Sequence, residues 1–331
     1  MSMTESTEVL TLCVSDAGML TAEVRQLRLR PVSAGQSLPG FTAGAHISLQ
    51  VKLPDGKLDW REYSLVALDN DSAVAPTEYR IAVRKESPGR GGSAFVHEQI
   101  KAGDILLVRA PRNQFPMESS NHRAVLIAGG IGVTPIASMA AHCRHIGRPV
   151  SMVYAGRSRT SMAYVEELQA LLGDDLRIHA DDEAGKPLDL AALFASLNAE
   201  DHIYFCGPTP MIDAILAMSE KQGWPRDQVH FELFNAPAAE EGDHAFEIEL
   251  AQSGKTLTVP ANKSILDVLI EEGFDPLYDC KRGECGVCAC DVMSGEIDHR
   301  DYILTAREKE AGNIMHTCVS RAKGAKLVLD M

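Results

Sequence analysis

Apolar and polar residues alternate with period two through the first third of the chain. Ala45-His-Ile-Ser-Leu-Gln-Val-Lys-Leu53, Tyr79-Arg-Ile-Ala-Val-Arg84 and Ile105-Leu-Leu-Val-Arg109 carry the pattern most clearly. Such alternation puts one set of side chains on a core face and the other in water, as in an antiparallel strand. Gly, Pro and Asp punctuate the runs. A small antiparallel β-barrel is therefore expected over residues 1–118.

The period changes after residue 118. Short apolar runs begin at Ala124, Val150, Leu176, His202 and Val229, and stretches with helical spacing lie between them, around Ile136–Ile146, Met162–Leu172, Leu190–Leu197 and Met211–Gln222. Strands alternating with helices imply a doubly wound parallel sheet over residues 119–236. Residues 237–244 are acidic, contain Pro237 and two alanines, and read as a linker. From 245 to 331 the pattern predicts strands at Phe246–Leu250, Thr256–Val259, Ala289–Met293 and Lys326–Asp330, with an amphipathic helix at Ile265–Glu272.

Composition narrows the classes. Hydrophobic residues make up 45% and charged residues 24%, as in globular domains. Lys plus Arg number 32 and Asp plus Glu 46, a net charge of −14. That field disfavours nucleic acid and anionic membranes as partners. Met1 to Glu8 has neither a basic nor an apolar region, so a secretory signal is not expected and the reading is cytoplasmic. The longest uncharged stretch, Ala124 to Cys143, contains Gly129, Gly130, Gly132 and Pro135, which argues for a strand–loop–helix unit over a membrane helix.

Four of the eight cysteines lie close together. Cys280, Cys285 and Cys288 have the C-x4-C-x2-C spacing, and Cys318 follows at a distance. Thiolates in this arrangement suit a plant-type [2Fe–2S] cluster. Gly283 and Gly286 let the backbone wrap so that N–H groups can face sulfur. A structural zinc would draw on two C-x2-C pairs, and only one is present. Cys290, Cys13 and Cys143 read as small buried hydrophobes.

With these residues in view, the third segment resembles plant-type ferredoxins. The whole chain resembles the phthalate dioxygenase reductase family, which includes vanillate O-demethylase reductases. The likeness extends to His299-Arg-Asp301 and to Cys318-Val-Ser-Arg-Ala-Lys323. It implies an FMN-binding antiparallel barrel, then a nucleotide-binding α/β domain, then a β-grasp ferredoxin domain.

Arg61-Glu-Tyr63-Ser64 matches the family's R-x-Y-S. Arg61 offers a cation for a flavin phosphate, Tyr63 an aromatic face and Ser64 a hydroxyl for the ring edge. Gly91-Gly92-Ser93 opens a predicted helix and can cradle a terminal phosphate, which favours FMN. Ala82, Val83 and Lys85 fall where the family's second flavin-lining strand lies. Phe234, in Phe231-Glu-Leu-Phe234, either packs near the flavin or belongs to the core.

Ala128-Gly-Gly130-Ile-Gly132-Val-Thr134-Pro135 resembles the family's G-G-x-G-x-T-P loop, where glycines let the backbone approach a pyrophosphate. By the same resemblance, Thr134 and Cys206 are the catalytic candidates beside the nicotinamide. Arg157 and Ser158 would border the adenosine ribose, and Cys206-Gly207-Pro208 matches C-G-P. An acid at the ribose favours NADH and a cation accommodates NADPH. Residues 157–159 carry cations and no acid, and Asp181-Asp-Glu183 comes after the third strand and is expected further away from the ribose. The family is mostly NADH-linked, so NADH is the expected donor, with NADPH as the alternative.

The resemblance implies an enzyme that passes electrons from NADH through FMN and a [2Fe–2S] cluster to a terminal Rieske-type oxygenase, itself acting on an aromatic acid or a methyl ether. A stand-alone diaphorase or ferric reductase is the alternative. The chain is expected to be a monomer. Its partner face should surround the cysteine loop, with Lys281, Arg282 and Glu284 pointing outward.

Overall fold

The structure, a computed structural model of the chain, describes residues 8–33, 35–69, 71–87, 89–237 and 240–331. The expectation about the first residues therefore falls mostly outside the described residues, as do positions 238 and 239 of the expected linker. The chain divides into two compact units at Glu232/Leu233.

The first unit contains two sheets. Strands β1 (Val9–Met19), β2 (Val24–Pro31), β3 (His46–Lys52), β4 (Leu58–Ser64), β5 (Tyr79–Arg84) and β6 (Ile105–Arg112) form an antiparallel sheet in the order β4-β3-β6-β1-β2-β5. A bridge between Leu65 and Ile81 joins the two edges and closes the sheet on itself. Closure satisfies edge groups that would otherwise be open to pairing. Alternate residues point inward, so Leu12, Leu27, Leu29, Ile47, Leu49, Ile81 and Val108 form one core. Helix α1 (Asp71–Val74) precedes β5, and α2 (Gly92–Glu98) packs against β3 and β5.

The second sheet is parallel, in the order β11-β10-β7-β8-β9, from β7 (Ala124–Gly129), β8 (Val150–Gly156), β9 (Leu176–Ala180), β10 (His202–Cys206) and β11 (Val229–Glu232). Every residue of β7, the central strand, is buried, as both faces of such a sheet are covered. Helices α3 (Val133–Ile146), α4 (Val165–Leu172), α5 (Asp181–Ala184), α6 (Leu190–Phe194) and α7 (Thr209–Lys221) connect the strands.

The barrel and this sheet hold together through buried polar bonds. The Ser138 hydroxyl on α3 donates to the Leu65 carbonyl at 2.7 Å and accepts from the Ala67 N–H at 2.9 Å. The Tyr164 hydroxyl donates to the Gln26 side chain on β2 at 3.0 Å.

The second unit is a β-grasp domain. Strands β12 (Phe246–Leu250), β13 (Lys255–Val259), β14 (Ala289–Ser294), β16 (Ile314–His316) and β18 (Lys326–Leu329) pair in the order β13-β12-β18-β14-β16, while β15 (Ile297–Asp298) pairs with β17 (Arg321–Ala322). Helix α8 (Ile265–Glu271) starts with a capping box between Ser264 and Asp267 and buries Ile265, Val268 and Leu269 against the sheet. Helix α9 (Ala306–Ala311) has the same device in Thr305 and Glu308. No described helix is long and apolar enough to cross a membrane.

Candidate functional site

All the expected flavin residues except Phe234 lie on the barrel or on the turn that opens α2. Arg61 and Ser64 stand on β4, and Arg61 is held by Asp59 and the Trp60 carbonyl. A Cβ at Gly92 would come 3.0 Å from the Arg61 side chain, and one at Gly91 would come 2.4 Å from Pro54. Gly91 also has φ +92°, a conformation glycine adopts without strain. The Arg61 side chain therefore lies directly against Gly92, at the start of α2. The Ser93 hydroxyl accepts from the Glu86 N–H at 3.0 Å and steadies the same turn. This combination of cation and open backbone fits a phosphate.

Ala82 and Val83 are buried in β5, whereas Lys85 turns its ammonium to Glu98 at 2.7 Å, at the far end of α2. Tyr63 packs against the barrel core, and burial raises its hydroxyl above the usual tyrosine range. Glu232 was not among the expected site residues. It is buried at the end of β11, and the Ser64 hydroxyl donates to its carboxylate at 3.5 Å. Its signal lay in Phe231-Glu-Leu-Phe234. Phe234 itself is half-buried and belongs to the second unit.

The nucleotide residues gather at the carboxyl ends of the parallel strands, where such sheets bind ligands. Strands β7 and β10 are neighbours, with Cys206 beside Ala128. The glycine loop thus packs on Cys206-Gly207-Pro208. A Cβ at Gly132 would lie 2.2 Å from the Cys206 carbonyl oxygen, and one at Gly129 would lie 2.6 Å from Met211 Sδ. Gly130 has φ +54°, and its carbonyl accepts from the Tyr154 hydroxyl at 3.2 Å. Thr134 is buried and donates to the Ile131 carbonyl at 3.1 Å; Pro135 and Cys206 are buried with it.

One expectation about distance is corrected here. Strands β8 and β9 run parallel with Gly156 opposite Ala180, so the loops that follow them advance side by side. Arg159 meets Glu183 in a two-pronged pair, both bonds 2.9 Å, and the Asp182 N–H donates to the Arg157 carbonyl at 3.1 Å. The acidic segment lies against the Arg157–Arg159 loop and not away from it.

In the second unit the cysteines form two pairs. Cys280 accepts from the Cys285 thiol, and backbone N–H groups of Arg282, Glu284 and Cys285 face it; together these pull Cys280 below the usual thiol range. Cys288 is lowered in the same way by the Cys318 thiol. Cys285 and Cys318, the donors, are raised. The Thr317 N–H and hydroxyl both bond the Cys288 carbonyl, at 3.1 and 3.2 Å, which brings Cys318 back to the loop. Lys281, Gly283 and Gly286 have φ of +56°, +80° and +78°, and the chain turns tightly around the sulfurs. Four sulfurs faced by N–H donors fit a [2Fe–2S] cluster.

Cys290 lies outside this set, half-buried against the core, with its thiol raised to about 11 by burial.

The expectation that Arg282 and Glu284 point outward is also corrected. Each side chain is 12% exposed, and Arg282 donates to Glu284 at 2.9 Å. The second Glu284 oxygen accepts from the Leu233 N–H at 2.8 Å. Lys281 is exposed, as expected. Sequence reasoning assigned no role to Asp301. It is fully buried, accepts from the Ile303 and Leu304 N–H groups at 3.2 and 2.8 Å, and faces His316 at 3.6 Å and His299 at 3.7 Å. The adjacent Tyr302 N–H donates to the Gly283 carbonyl, so this segment buttresses the cysteine loop.

Comparison with known proteins matches residues 248–323 to the family described as the 2Fe-2S iron-sulfur cluster binding domain, and residues 106–229 to the N-terminal domain of dimethylamine monooxygenase subunit DmmA-like proteins. Phthalate dioxygenase reductase of Burkholderia cepacia is 38% identical over 301 residues, covering 90% of each chain. The chain belongs to the phthalate dioxygenase reductase family. Its members are oxidoreductases. Another relative is the toluene-4-sulfonate monooxygenase system reductase subunit of Comamonas testosteroni, 41% identical over 93% of this chain and 95% of its own. A solved phthalate dioxygenase reductase, described as a modular structure for electron transfer from pyridine nucleotides to [2Fe-2S], aligns over 99% of both chains with TM-score 0.72 and 35% identity. Full-length CYP116B46 from Tepidiphilus thermophilus gives TM-score 0.74 and 36% identity over 98% of this chain, which spans 42% of that longer one.

Proposed function

We propose that this protein is the reductase component of a Rieske-type oxygenase system. It takes reducing equivalents from NADH through FMN and a [2Fe–2S] cluster to a terminal oxygenase that acts on an aromatic acid, a methyl ether or a similar small molecule. The observation that carries this reading is the end-to-end likeness to a reductase described as moving electrons from pyridine nucleotides to [2Fe-2S]. We assign residues 1–118 to flavin, 119–236 to nucleotide, 237–244 to a linker and 245–331 to the cluster. The protein acts in the cytoplasm as a monomer.

FMN, when bound, accepts two electrons together and releases them singly, which lets a two-electron donor feed a one-electron cluster. The chain positions the partners. Arg61, Gly91, Gly92 and Ser93 hold the flavin phosphate, while Tyr63, Ser64, Ala82 and Val83 line the ring. Gly130, Gly132, Pro135, Gly207 and Pro208 receive the dinucleotide, Arg157 and Ser158 border its ribose, and Thr134 and Cys206 flank the nicotinamide. Cys280, Cys285, Cys288 and Cys318 ligate the cluster.

The test is a visible spectrum of the purified protein before and after NADH is added without air. Flavin bands with a broad cluster shoulder, both bleached by NADH, are expected. Flavin bands without a cluster contribution, even after reconstitution with iron and sulfide, would refute the relay and leave a diaphorase.

A further inference from the structure

The cysteine loop aims its backbone amides at sulfur. Those of Arg282, Glu284 and Cys285 face Cys280, and that of Gly283 faces Cys318. Gly283 lies between Cys280 and Cys285, and its φ of +80° sets the direction of that N–H. The residue is held from outside the loop. Its carbonyl accepts from the Tyr302 N–H at 2.9 Å, and a Cβ on it would lie 3.2 Å from the Asp301 Cα and 2.7 Å from Val319 Cγ2.

Asp301 shapes the segment that does the holding. Its Oδ1 accepts from the Ile303 and Leu304 N–H groups at 3.2 and 2.8 Å, so the side chain folds residues 301–304 into a turn. The Lys309 ammonium on α9 fixes the Asp301 carbonyl at 2.5 Å. The carboxylate is fully buried, with His316 at 3.6 Å and His299 at 3.7 Å.

We propose that Asp301 is a positioning residue for the [2Fe–2S] cluster. Its side chain closes the turn that lets Tyr302 grip Gly283, and through Gly283 it aims an N–H at the Cys318 sulfur. This rests on the reading above that Cys318 ligates the cluster. An N–H bond to a ligand sulfur favours the reduced, more negative cluster and raises its potential. The buried carboxylate charge acts in the opposite sense, because a negative charge nearby disfavours reduction. Variants must therefore separate the turn from the charge.

The cluster potential of the full-length holoprotein is measured by anaerobic redox titration, read by visible absorption and by electron paramagnetic resonance. Asp301→Asn keeps an acceptor oxygen in place and loses the charge. Asp301→Ala loses both. Asp301→Glu keeps the charge but lengthens the side chain, so the turn no longer closes. The potential of the Asn variant should be at or above that of the wild type. The Ala variant should fall below the Asn variant, and the Glu variant below the wild type, each by about 10-fold in the reduction equilibrium, or about 59 mV for one electron, as expected for loss of a hydrogen bond to a charged acceptor.

If Ala matches Asn and Glu matches the wild type, only the charge matters and the proposal is wrong. If Ala alone loses its iron, the comparison of Glu with the wild type decides. If Ala and Glu both lose their iron while Asn keeps it, Asp301 secures the whole loop rather than directing one amide, and the proposal is again overturned. A wild type that holds no cluster after reconstitution with iron and sulfide would instead refute the functional reading on which the proposal rests.

Discussion

Gly132 offers the sharpest test of how the nucleotide site is built. Its φ of −59° is open to any residue, so backbone freedom is not why glycine stands there. The reason is space, since an added Cβ would sit 2.2 Å from the Cys206 carbonyl oxygen and 2.7 Å from the Gly207 nitrogen. Non-bonded heavy atoms settle at about 3.5 Å or more. The two loops would have to part by more than about 1 Å, and the obstructing atoms are backbone at the end of a buried strand. Gly132→Ala should therefore cost about 2–3 kcal/mol, the upper range for overpacking.

The same displacement moves both halves of the dinucleotide site. Misplacement of about 1 Å can cost up to roughly 100-fold, so kcat/KM for NADH should fall by about 10- to 100-fold. Gly130→Ala is the control. A Cβ there meets nothing within 4 Å, and only its φ of +54° is unfavourable, for about 1–2 kcal/mol. Urea unfolding followed by tryptophan fluorescence, with anaerobic flavin reduction by stopped flow, reads both effects. If Gly132→Ala is no less stable than Gly130→Ala and reduces flavin at the wild-type rate, the packing argument is wrong.

Other expectations can be checked more simply. Cys318→Ser should abolish the visible cluster absorption and bound iron while leaving NADH bleaching of the flavin; a full complement of iron would remove Cys318 from the ligand set. Arg61→Gln should weaken FMN binding by about 10-fold or more, through loss of a charge-assisted bond, as measured by fluorescence titration of the flavin-stripped protein with FMN. Asp243 accepts from Arg300, which with two smaller attractions holds its carboxyl at about 2, below the ordinary 3.8. A depressed folded value stabilises above the unfolded one, so this contribution, at most about 2 kcal/mol, is present above roughly pH 4 and lost as pH falls towards 2. Asp243→Asn should flatten that part of the acid-unfolding curve of the full chain, and an unaltered curve would show that the pair does not couple to folding.

The sequence alone determined the order of the parts. Period-two runs, strand–helix alternation and C-x4-C-x2-C are local patterns, and each specifies a backbone periodicity or a ligand spacing without reference to distant residues. The strands of the parallel sheet begin where the apolar runs do because full burial on both faces demands such runs. Contacts between segments were decided only in three dimensions. Arg282 and Glu284 read as surface charges, yet they turn inward because each neutralises the other and the Leu233 N–H completes the set. Asp301 had a motif but no reason until its burial against His299, His316 and the loop after it was visible. Glu183 stood far from Arg159 in sequence, and strand register made them neighbours. Local patterning depends on short-range sterics and burial, whereas the meeting of two loops depends on which strands pair and in what register.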